Sequence, residues 1–174
     1  MSSWIQRVVL VVVAVGFGMQ LVPVRRDNPP VDQSKSLYAL HPTPSEVQAV
    51  FERSCRDCHS NETVWPWYSH IAPVSWMVAN DVHDGRKHFN LSEWGNYPEE
   101  KKLRKLGEIC EQVKNEDMPD DKYTLIHRSA RLDKQQRAML CDWVEATRRP
   151  LQTEVMKFAK PSERPDQNIP ASDQ

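Results

Sequence analysis

Five consecutive residues, Cys55-Arg56-Asp57-Cys58-His59, constrain this chain more than any other stretch. Two thiols three positions apart, with an imidazole adjoining, crowd soft ligands onto one turn. The same spacing occurs in zinc sites and redox dithiols, so the pattern narrows the chemistry before it names it. The rest of the 174 residues must build a scaffold around that turn, and the length suits one domain with extensions. Pro outnumbers Gly by 13 to 5, which favours helices joined by stiff loops over sheet built on glycine turns. A net charge of -1, well mixed along the chain, gives no reason to expect nucleic acid as a partner.

Helical periodicity is explicit in four places. Thr43-Pro44-Ser45-Glu46 reads as a capping box with Pro at the first helical position, followed by Val47, Val50, Phe51 and Ser54, and this helix runs directly into Cys55. A second helix is predicted from Pro73, with Val74, Met77, Val78 and Val82 on one face, stopping at Gly85. A third begins near Pro98 and carries Leu103, Leu106, Cys110 and Val113. A fourth, capped by Asp133, buries Leu140, Trp143, Val144 and Thr147 and ends before Pro150. Met77 and Met139 sit among apolar neighbours and read as core. Strand signals are scarce, so the domain is all-α, spanning 43–149. Residues 150–174 read as a largely disordered polar tail, in which Leu151 to Phe158 could add one or two helical turns.

Ahead of the domain, Val8 to Val24 is apolar apart from Gln20 and follows Arg7. As a helix it reaches about 25 Å, close to the ~30 Å hydrocarbon core, and offers no polar face. Residues 1–24 therefore read as an uncleaved signal anchor, a single transmembrane helix, with a cleaved signal peptide as the alternative. Residues 25–42, polar and proline-bearing, read as a linker lifting the domain off the membrane.

Cys55-x-x-Cys58-His59 is also the pattern of c-type haem attachment. Two thiols so spaced at a helix end reach the two vinyl edges of one porphyrin, and His59 falls beneath the iron as proximal ligand. Met118, before Pro119 in a polar loop, has little core to join and offers a thioether as sixth ligand. His70 and His127 are rival sixth ligands. His41, His83 and His88 read as surface residues. Trp65 and Trp67 bracket Pro66 and offer indole N–H groups to haem propionates, as Tyr68 offers a hydroxyl and Arg86 a guanidinium. Cys110 and Cys141 are either buried free thiols or a disulfide. A zinc site of Cys55, Cys58, His59 and Cys110 is a further possibility.

With those residues in hand, the stretch from Thr43 to Glu145 resembles the small bacterial haem-binding domain family, whose members typically carry an N-terminal membrane segment. The resemblance rests on Cys55-Arg-Asp-Cys-His-Ser-Asn-Glu-Thr63, Trp65-Pro-Trp-Tyr68, Ile71-Ala-Pro-Val-Ser-Trp76, Asp81-Val82, Gly85-Arg86, Asn90-Leu-Ser-Glu-Trp94, Met118-Pro119, Tyr123 and His127. It implies thioethers at Cys55 and Cys58, His59 as proximal ligand and Met118 as distal ligand; Asp120 after the Met-Pro pair departs from many members. Similarity to class I cytochromes c further implies that the first and last helices cross through Phe51 and Trp143.

These expectations define a membrane-anchored monohaem c-type cytochrome in the periplasm, holding one covalent haem c and its iron and exchanging single electrons with redox partner proteins. No substrate acid–base constellation stands out, so the chain reads as an electron carrier and not an enzyme. The alternative is a haem peroxidase or gas/peroxide sensor with an open distal site.

Overall fold

A computed structural model of the chain describes residues 3–158, and among these described residues proline punctuation and helical periodicity become eight α-helices and no strand. The predicted tail from 159 onward lies outside the described residues. The apolar N-terminus forms α1 (Ser3–Gln20), with no residue buried. It is 18 residues long with mean hydropathy 1.4, long and apolar enough to cross a membrane. It ends at Gln20 instead of reaching Val24, because Pro23 follows and the residues before a proline leave the helical region.

Residues 25–42 do not stand free as a linker. They wrap onto the domain through a short turn (Gln33–Lys35) and α2 (Leu37–Leu40), and Leu37 is fully buried. Leu37 seats this stretch on the core, and Asn28 ties it down by donating to the Thr63 carbonyl (2.9 Å). α3 (Ser45–Ser54) follows, but the capping box does not form: Pro44 is itself the extended N-cap, and Thr43 donates to the His41 carbonyl (2.8 Å) instead of capping. α4 (Arg56–His59) turns off its end. α5 (Val74–His88) continues three residues past Gly85, whose carbonyl still accepts the Phe89 amide (3.1 Å). α6 (Glu99–Lys114) and α7 (Asp121–Ile126) complete the middle.

α8 (Lys134–Phe158) starts from a reciprocal cap, Asp133 with Gln136, as its sequence implies. It runs through Pro150 instead of ending there. The ring removes one donor to the preceding turn, yet Leu151 just beyond it is buried on the core, and that burial offsets the lost bond.

α6 packs along α8, and α3 crosses α8. At that crossing Phe51 meets Trp143 edge-to-face, ring centres 5.6 Å apart, as the similarity to class I cytochromes implies. Leu37, Val50, Trp94, Leu106, Leu140 and Val144 fill the core around the pair. The α6–α8 contact brings Cys110 and Cys141 to a Cα separation of 5.0 Å, where they form a disulfide, so the reading as two free thiols is set aside. His41 is not a surface residue either: its ring packs against Trp94 and its Nε2 is buried without a partner among the described residues.

Candidate functional site

The first aromatic core helix delivers the site. α3 ends at Cys55, whose carbonyl accepts both the Cys58 amide (3.2 Å) and the His59 amide (2.9 Å), so one tight turn fixes all three residues. His59 is buried. Its Nδ1 lies 2.9 Å from the Gly85 carbonyl and 3.2 Å from that of Phe89, and its ring stacks on Phe89 at 4.1 Å. Both neighbours are acceptors, so Nδ1 carries the proton and Nε2 keeps a free lone pair. Burial holds the His59 pKa below its ordinary value, favouring that neutral form. This is how proteins orient a metal-binding histidine.

Gly85 makes the arrangement possible. A Cβ there would stand 2.5 Å from the Cys58 carbonyl oxygen, so only glycine lets α5 approach α4 this closely. Asp57, between the thiols, braces the loop beyond: its carboxylate accepts from the Val64 amide (3.1 Å) and the Tyr123 hydroxyl (2.9 Å), while its carbonyl accepts from Thr63 Oγ1 (2.7 Å). Burial and the Asp57 charge push the Tyr123 pKa up, keeping it a donor.

Cys55, Cys58 and His59 all line one cavity of about 840 Å³, within the range of roughly 300–1,000 Å³ for cofactor sites. Most of the rest of its wall comes from α5, from α6 and from the segment Met118–His127. Val74, Met77, Met118 and Ile126, all on the wall, are 40, 50, 41 and 59 % exposed. Four large apolar side chains facing one opening form a patch that needs an apolar occupant. Met77 is therefore a wall residue and not core; Met139 is packed against the core as its spacing predicts. The two thiols are free, and burial, with neighbouring negative groups at Cys58, pushes both up to about 12.

The other sequence candidates divide. Tyr68 and His127 are on the cavity wall and pair with each other, hydroxyl to Nε2 at 2.6 Å, with His127 stacked on Tyr123 at 4.4 Å. Trp65, Trp67, Arg86 and His70 are not on it. Trp67 is 75 % exposed, and the Trp65 indole donates to Asn28 (3.3 Å). The Arg86 fork is spent on Ser60, Asp27, Asn28 and Thr63, clamping the chain after the thiols to the segment that precedes the domain. The zinc reading loses its fourth ligand, since Cys110 is in the disulfide. The parts that Gly85, Phe89 and Asp57 play here are not read from the sequence. Gly85 looked like a stop signal, Phe89 acts through its ring and through a backbone carbonyl that every residue has, and Asp57 sits at a position the motif leaves open.

An apolar slot beside two free thiols and an imidazole held by its Nδ1 fits a flat, apolar, iron-bearing ring. An all-helical domain around such a slot has the form of a haem-binding protein. The comparison with family models agrees: the Haem-binding domain model matches residues 14–146, most of the chain, and the chain belongs to that family. No curated protein and no solved structure matched. Haem binding is thus the shared property of family and cavity.

Proposed function

We propose that the chain is a membrane-anchored monohaem c-type cytochrome whose domain exchanges single electrons outside the cytoplasmic membrane, in the periplasm, with redox partner proteins. The observation that carries this is the histidine: His59 offers Nε2 to the same cavity that both free thiols line. Cys55 and Cys58 would hold the ring by thioethers, and His59 and Met118 would supply ligands to its iron. The haem supplies one-electron exchange at iron; Met/His ligation raises its potential and suits electron transfer. The chain's own part is to orient His59 through two carbonyls, exclude water with Val74, Val78 and Val82, and present a thioether. The Cys110–Cys141 bridge supports an oxidising compartment, and α1 supports an anchor.

Absorption spectra of the oxidised and reduced protein test the reading. Expected are low-spin six-coordinate bands, haem that stays with the chain through acid–acetone extraction, and loss of the methionine-to-iron charge-transfer band in Met118→Ala. Extractable haem removes the thioethers. Rapid carbon monoxide binding by the unsubstituted protein favours the second reading, a peroxidase or gas sensor with an open distal face. That reading draws on Tyr68 and His127, paired on the same wall as a half-exposed Met118.

A further inference from the structure

Haem is apolar at its centre and anionic at one edge, where two propionate carboxylates need cations or donors. Arg86 is committed elsewhere, so the partners must come from other residues of the wall. Among the described residues the cavity wall has four cationic or imidazole side chains besides His59 and His127: His88, Arg104, Lys105 and Lys122. Lys122 stands with Asp81 and Asp120, a neighbourhood that repels carboxylates. Arg104 and Lys105 are different. Both reach Glu108 on their own helix, so this group of three carries one net positive charge, and His88 at the end of α5 stands on the same wall.

Lys105 is the telling residue. It is 7 % exposed, yet a buried ammonium has three donors, and Glu108, shared with Arg104, is its one acceptor among the described residues. A buried charge with donors to spare is costly unless something completes its shell. A propionate entering the cavity would do so, and the Arg104 fork matches carboxylate geometry. We infer that Arg104 and Lys105 on α6, with His88 beside them, form the seat of the haem propionates. This orients the ring with its anionic edge toward α6 and its vinyl edge toward Cys55 and Cys58. It rests on the haem reading above.

The test uses the haem-loaded full chain and its resonance Raman propionate-bending band, which reports hydrogen bonding to the carboxylates. Lys105→Met and Arg104→Gln are each expected to shift that band, and to lower the midpoint potential because a positive charge near the iron is lost. Lys105→Arg, which keeps the charge, should hold both near the starting values, and Lys122→Met should leave the band in place. Circular dichroism checks that each variant remains helical. An unmoved band in both Lys105→Met and Arg104→Gln, or a band that moves only in Lys122→Met, overturns the assignment while leaving haem binding intact. A starting protein that takes up no haem overturns the reading beneath it instead.

Discussion

Gly85→Ala sets two physical effects against each other, and the structure decides which wins. Helix propensity alone favours the substitution, since Gly is worth about 1 kcal/mol less than Ala inside a helix. Gly85 lies inside α5 with three residues still to follow, and its φ is not positive, so propensity applies in full. Packing opposes it. The new Cβ would sit 2.5 Å from the Cys58 carbonyl oxygen and 3.0 Å from its carbon, both backbone atoms that cannot rotate away. Restoring ordinary contact at about 3.4 Å requires α4 and α5 to separate by roughly 0.9 Å. Overpacking of that kind costs about 1–3 kcal/mol. The same separation stretches the His59 bond to the Gly85 carbonyl from 2.9 Å beyond hydrogen-bond reach, a further loss of about 1 kcal/mol. The balance is destabilisation by roughly 1–3 kcal/mol, with His59 freed to turn. Urea unfolding followed by circular dichroism gives the stability, and the reduced haem spectrum reports the proximal ligand. A Gly85→Ala protein as stable as its parent or more so, with an unchanged spectrum, would refute the argument, because propensity alone would then describe the site.

Removing the α6–α8 bridge in a Cys110→Ala/Cys141→Ala protein should lower stability by about 3.5 kcal/mol, from the 31-residue separation it closes, as read by thermal unfolding; a change under ~1 kcal/mol would count against a formed disulfide. Asp57→Ala should cost about 1–3 kcal/mol in urea unfolding, since the Val64 amide and Tyr123 hydroxyl both lose their acceptor, whereas an unimportant motif position would move by less than ~0.5 kcal/mol. For His41, burial and then the Lys102 charge hold the folded-state pKa below 6.5. As pH falls the unfolded chain therefore takes up the proton first, and stability present above about pH 6.5 declines below it. Unfolding midpoints at pH 7.5 and 5 should differ more in the parent than in His41→Gln; equal differences would dissociate His41 from the effect.

Local rules carried the sequence a long way here. The Cys55–His59 turn, the apolar N-terminal helix, the Asp133 cap and the α6 stripe are all short-range patterns, set by spacing within one or two turns. So is the all-helical class, which follows from many prolines, few glycines and scarce strand signals. Where local signals had two meanings, the sequence chose the commoner one, and packing chose the other. Gly85 and Pro150 ordinarily end helices, yet one admits a neighbouring backbone and the other is overridden by the burial of Leu151. Met77 has the spacing of a core residue but faces a cavity, which no single helix reveals.

The sequence by itself determined which candidate groups the chain offers: two thiols, an imidazole and a thioether, placed by motif and loop. Tertiary structure alone decided how they act together. The proton on His59 Nδ1 is set by carbonyls 26 and 30 residues away, and Arg86 is taken up by carbonyls and side chains as far as 59 residues off. Both depend on distances that only the packed helices define, because backbone carbonyls leave no mark in residue identity.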